Sequence, residues 1–92
     1  MNPIKCILDG SRMTSRAEAH ARLAEALDFP GWYGKNLDAL FDLLSTRSEE
    51  TVLLVRHCAA LETSLGAYGR ALLATLSDAA AENRRLHLVV EL

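Results

Sequence analysis

The sequence predicts an α/β domain, a three-stranded parallel sheet with helices packed around it. Three observations carry this expectation. Apolar runs at residues 4–8, 51–55 and 86–90 have the length and composition of strands. The stretches between them place apolar residues at helical spacing. Two helical segments separate each strand from the next, giving the order β-α-α-β-α-α-β, and strands separated by helices favour parallel pairing through right-handed crossovers. Residues 1–92 make a single domain, with no repeat, linker or low-complexity tract.

The first strand ends at Asp9-Gly10-Ser11, a turn sequence. Ser15-Arg16-Ala17-Glu18 fits a capping box, Ser15 at the N-cap and Glu18 three residues later. A helix follows to about Leu27, with Ala19, Leu23, Ala26 and Leu27 on its inner face. The stretch 28–34 breaks the chain, because Pro30 cannot continue a helix and two glycines bracket Trp32 and Tyr33. A second helix runs to about Leu44, with Asn36 the preferred N-cap and Gly34 the alternative. Residues 45–50 form a polar connection, and 51–55 suit a strand buried on both faces. Residues 59–65 form a short helix and 66–69 loosen the chain. A helix rich in alanine and leucine spans about 70–82, ended by Asn83 in a left-handed conformation. The last apolar run reads as a third buried strand.

Half of the residues are hydrophobic, ample for a core, yet a domain this small is only marginally stable and has little to spare for strained catalytic geometry. A net charge of −2 without a basic face argues against direct nucleic-acid binding. The first apolar run is too short for a signal or membrane segment, which places the protein in the cytoplasm. Eight arginines against two lysines, with frequent alanine, suit a GC-rich bacterial source. Cys6 and Cys58 lack any CxxC or Cys/His ligand spacing and read as buried thiols of a reducing compartment. His20, His57 and His87 also lack ligand spacing, and His20 reads as structural. Arg84-Arg85 is too short for a nucleic-acid patch and suits a helix C-terminus. No cofactor or metal is implied.

The informative feature is where the acids lie. Residues 28–50 hold five acidic side chains (Asp28, Asp38, Asp42, Glu49, Glu50) and two basic ones (Lys35, Arg47), a balance of −3. The segment before carries +1 and the segment after is neutral, so a basic partner at 28–50 is the natural expectation. On the second helix Leu37, Leu40, Phe41 and Leu44 form the buried stripe, with Phe41 at its edge. Asp38 and Asp42 are four apart and share another face, where like charges repel. Such a locally unfavourable choice points to function, although an ordinary solvated acidic face carries about equal weight on the pattern alone.

The run Phe29-Pro30-Gly31-Trp32-Tyr33-Gly34-Lys35-Asn36-Leu37-Asp38-Ala39-Leu40-Phe41-Asp42 resembles the loop and inhibitory helix of the barstar family of ribonuclease inhibitors. Elsewhere the resemblance rests on chain length, element order and a histidine on the first helix, His20. It implies a stoichiometric inhibitor that is not an enzyme: a monomer that forms a one-to-one complex with a basic, extracellular-type ribonuclease of the barnase class. Asp42 would take the place of substrate phosphate, because a carboxylate accepts paired hydrogen bonds from the same cations. Asp38 would meet a second cationic group, Trp32 would cover the region of the active-site histidine, Gly34 would admit close backbone approach and Asn36 would add polar contacts. Asp78 matches an acidic contact from the family's later helix. The sequence departs from the pattern where Phe41 replaces a tryptophan, where Lys35 stands at a commonly acidic position, and where Thr46 and Arg47 replace a glycine and an aromatic. Asp78 is shorter than the usual glutamate, and Arg47 would face a basic partner. These changes suit a different, less basic nuclease. Two other readings keep fewer of these features: a binding or regulatory module for some other protein, and a small enzyme using Asp38 and Asp42 as acid and base.

Overall fold

The computed structural model describes residues 2–92. Its elements run β1 (Ile4–Asp9), a 3-10 turn (Gly10–Arg12), α1 (Arg16–Leu27), α2 (Leu37–Ser45), β2 (Thr51–Arg56), α3 (Cys58–Leu65), α4 (Ala67–Glu82) and β3 (Leu86–Val90). The strands form one parallel sheet in the order β1-β2-β3, with Cys6 beside Leu53 and Leu53 beside Leu88. The predicted fold class and element order are those observed.

Alternation along the strands sends Cys6, Leu8, Leu53, Val55 and Leu86 into the core. There they join Ala19, Leu23 and Leu27 of α1, Leu40 and Leu44 of α2, Leu61 of α3, and Leu72, Leu76 and Ala79 of α4. α1 packs on β1 and α4 on β3, while α2 and α3 both pack on α4. Each fully buried leucine contributes roughly 1.5–3 kcal/mol by leaving water. Cys6 and Cys58 are free and buried, and burial pushes both thiols up, which favours their protonated form.

Several local expectations give way to long-range contacts. Ser15 accepts from the Glu18 N–H as predicted, but the Glu18 carboxylate reaches forward to Arg22 at 2.9 Å instead of back to the cap. On the inner face of α1, His20 is buried and Ala26 only half-buried. α4 begins at Ala67, three residues earlier than predicted. Gly69, read as a loosening residue, is a buried helical contact point: a Cβ there would lie 2.8 Å from the Leu61 carbonyl oxygen, so only glycine lets α3 and α4 approach this closely. Asn83 is extended (φ −127°, ψ 104°) instead of left-handed. Its amide donates to the carbonyls of Leu44 and Arg47, both at 2.9 Å, fastening the end of α4 to the end of α2.

The sheet is also more open than its apolar runs imply. Val52 and Leu54 are half-buried, and Val89 and Val90 are exposed, so neither β2 nor β3 is buried on both faces. The helices shield the centre of the inward face, leave Ile4 and Val90 at its ends exposed, and leave the outward side chains half-buried or exposed. Among the described residues no helix is long and apolar enough to cross a membrane.

Candidate protein-binding site

The site begins where α1 stops. Asp28 takes a left-handed conformation (φ 54°), and the Phe29 N–H closes on the Ala24 carbonyl at 2.9 Å. Pro30 then opens a turn closed by the Tyr33 N–H on the Pro30 carbonyl at 3.0 Å. This turn sends consecutive aromatics in opposite directions: Trp32 is 77% exposed and Tyr33 is 5% exposed.

Tyr33 anchors the loop. Its ring packs on Phe29 with centroids 4.8 Å apart, and its hydroxyl lies 2.6 Å from His20 Nδ1. The other ring nitrogen, Nε2, lies 2.6 Å from the Tyr68 hydroxyl, whose ring in turn sits 4.2 Å beneath the Arg16 guanidinium. Burial holds His20 below the ordinary histidine value and pushes the Tyr33 phenol up, so both are neutral near pH 7. A neutral imidazole has one N–H, so it donates to one tyrosine and accepts from the other, and both nitrogens are satisfied. Helix α1, the loop and α4 are thereby joined through one buried ring. The sequence placed His20 as structural; its partners, 13 and 48 residues away, left no local signal.

Asn36 caps α2 as predicted, its Oδ1 accepting from the Ala39 N–H at 2.8 Å while its Nδ2 donates to the Gly34 carbonyl at 3.3 Å. A methyl at Gly34 would press on the Ala39 Cβ at 3.2 Å, so this turn tolerates little bulk. Lys35 between them is left-handed (φ 55°) and exposed.

From this cap, α2 turns Leu40 and Leu44 fully inward, with Leu37 and Phe41 partly buried against the core. Asp38 and Asp42 are exposed one turn apart, and neither carboxylate has a hydrogen bond or ion pair among the described residues. The backbone beneath Asp42 is held firmly: its carbonyl accepts from the Thr46 N–H at 3.3 Å, the Thr46 hydroxyl at 2.6 Å and the Ser45 hydroxyl at 3.4 Å. Asp78 is exposed on α4, the helix against which α2 packs.

Arg47 corrects a sequence expectation. Its side chain is only 11% exposed and turns inward, donating to the Leu27 carbonyl at 2.9 Å and the Thr51 hydroxyl at 2.8 Å, with Glu49 at 3.5 Å. It ties the end of α1 to the start of β2 and does not confront a basic partner. The polar atoms of a local sequence cannot reveal this, because Leu27 lies 20 residues away.

The exposed Trp32, the capped helix α2 and the unpaired carboxylates of Asp38 and Asp42 thus lie on neighbouring elements and leave uncompensated negative charge at the surface. Among the described residues no three His, Cys, Asp or Glu side chains gather as a metal site. The chain matches the family model described as "Barstar (barnase inhibitor)" over residues 5–92. It is also 35% identical over 79 residues to the Bacillus subtilis (strain 168) protein named "Putative ribonuclease inhibitor YrdF", covering 85% of this chain and 87% of that one. The chain belongs to the barstar family of ribonuclease inhibitors, proteins that act by binding a nuclease and not by catalysis.

Proposed function

We propose that this protein inhibits a barnase-type ribonuclease by seating α2 across the enzyme's active site, one nuclease per chain. The observation that carries the reading is the pair of unpartnered carboxylates, Asp38 and Asp42, on the exposed face of a firmly capped helix. A ribonuclease holds its substrate phosphate with Arg, Lys and His, and a carboxylate accepts charge-assisted hydrogen bonds from the same donors. Asp42 occupies the phosphate position and offers no bond to cleave. Asp38 meets a second cation, and Trp32 lies over the catalytic histidine. Gly34 and Asn36 form the tight rim of the contact, Phe41 fills the space between the two acids and the core, and Asp78 adds an acidic contact from α4. The excess of acids in this segment also steers a basic nuclease toward the helix, so added salt slows association.

An inhibitor of this kind works inside the producing cell, as the immunity partner of a secreted cytotoxic nuclease. The test is calorimetric titration against a barnase-like ribonuclease from the same source, carrying an inactivating substitution for expression, with Asp42→Ala in parallel. The expected result is tight binding at one nuclease per chain, weakened in the variant by roughly 2 kcal/mol or more, a figure set by interface hot spots generally, the family's type complex among them. No binding by folded wild-type protein overturns the reading in favour of a different protein partner.

A further inference from the structure

The sheet has a face that no other element among the described residues covers. Its strand register lines up three outward rows: Lys5, Val52 and His87; Ile7, Leu54 and Val89; and Asp9 with Arg56, continued past β3 by Glu91. The middle row is wholly apolar, with Ile7 60% and Val89 47% exposed. The outer rows hold the charges of this face, Lys5 in one and Asp9, Arg56 and Glu91 in the other. A shallow hollow of about 400 Å³ runs over this face between Lys5 and Glu91. All-parallel sheets are ordinarily covered on both faces, and an apolar centre inside a charged rim is the layout of a protein interface.

We propose that this face pairs with the same face of a second copy, sheet on sheet, with the strands of the two copies antiparallel. The charges choose both the occupant and the orientation. With the two-fold axis along the middle row, Ile7, Leu54 and Val89 meet their own counterparts across a gap of about 10 Å, the usual spacing of stacked sheets. Lys5 then stands opposite Asp9 of the second copy, and His87 opposite Glu91 of the second copy. Val52 receives the aliphatic stem of Arg56. The alternative two-fold, along the strands, sets Asp9 against Glu91, like against like, and takes Lys5 away from any acid of the sheet face. The neighbouring groups on each copy are Glu50 on His87, Arg12 at 3.9 Å from Asp9 and Arg56 at 3.1 Å from Glu91. Lys5 has no such partner among the described residues, so it is the cation left to satisfy.

Three short strands bury less area than a permanent dimer requires, so the pairing is weak and depends on concentration. It is independent of the ribonuclease reading. The outward sheet residues share nothing with α2, and each chain of the pair keeps its own acidic helix free.

Sedimentation velocity across about 10 μM to about 1 mM spans the affinities expected of so small an interface. The free protein is expected to shift from monomer to dimer over this range. Ile7→Lys and Val89→Lys, both at exposed positions, are each expected to leave the far-ultraviolet circular dichroism unchanged and to weaken association at least about tenfold. Lys5→Glu is expected to weaken it severalfold, and added salt to weaken the wild type. A monomer throughout, or a dimer unchanged by the apolar substitutions, overturns the proposal. A dimer lost on Ile7→Lys but unaffected by Lys5→Glu overturns the antiparallel arrangement.

Discussion

Helices α1 and α2 are built alike at both ends and differ on their outer faces. Each is capped at its start by its own flanking side chain, Ser15 for α1 and Asn36 for α2. Each is gripped near its end by a side chain from further along the chain, Arg47 on the Leu27 carbonyl and Asn83 on the Leu44 carbonyl. At the same i, i+4 spacing, α1 carries Glu18 and Arg22 in an ion pair at 2.9 Å, and α2 carries Asp38 and Asp42. One outer face is complete within the chain, and the other is left with uncompensated charge. The difference matters for folding, because α2 owes its stability to its caps and inner leucines, while Asp38 gains only from the N-terminal end of the helix dipole and Asp42 adds repulsion one turn on.

Remaking α2 in the pattern of α1 gives the largest effect. Asp42→Lys places opposite charges four apart and should raise stability by about 0.2–0.5 kcal/mol in a thermal melt. The same substitution should cost roughly 2 kcal/mol or more of nuclease affinity in a calorimetric titration. A variant that binds as well as wild type breaks the assignment of Asp42.

Next come the grips on the helix ends. Asn83→Ala removes two side-chain hydrogen bonds, the one to the Arg47 carbonyl and the one to the Leu44 carbonyl, which still accepts from the Arg47 N–H, and should cost about 1–3 kcal/mol in urea unfolding. If α2 instead needs its acids for folding, Asp42→Ala will cost as much as Asn83→Ala, which would erase the contrast between the helices.

The anchor of the binding loop sharpens the comparison through pH. Burial holds the folded His20 below its ordinary value of 6.5, so the unfolded chain takes up this proton first on acidification. The neutral ring's contribution is complete above about 6.5 and is lost as pH falls below that toward the folded value. Stability should therefore fall on acidification through this window, and a histidine proton resonance titrating below the ordinary range should identify the ring. His20→Gln, which cannot bridge both tyrosines in the same way, should flatten the slope.

The smallest effect falls on the completed face. Glu18→Gln removes one exposed i, i+4 ion pair and should cost only about 0.3–0.5 kcal/mol, with nuclease binding unchanged.

Much of this was legible in the sequence because it is local. Ser15 and Asn36 announced their caps, Leu40 and Leu44 their inward spacing, and Asp38 and Asp42 their shared face. What escaped depends on distant partners. Gly69 looked like a flexible residue because the Leu61 carbonyl that excludes a side chain belongs to another helix. Asn83 looked like a helix stop because its role lies in carbonyls 36 and 39 residues earlier. Arg47 looked like an exposed cation for the same reason. The bare sheet face escaped because an apolar run reports that a strand is hydrophobic but not how many of its faces the helices reach.

The turn after Pro30 has one more consequence. It gives Tyr33 to the interior and Trp32 to the solvent, so adjacent positions answer to different selective pressures. A change at Tyr33 disturbs the histidine bridge and is purged as a folding defect. A change at Trp32, which is exposed, leaves that bridge intact. A lineage can therefore vary the solvent-facing side chain of this loop without passing through an unfolded ancestor.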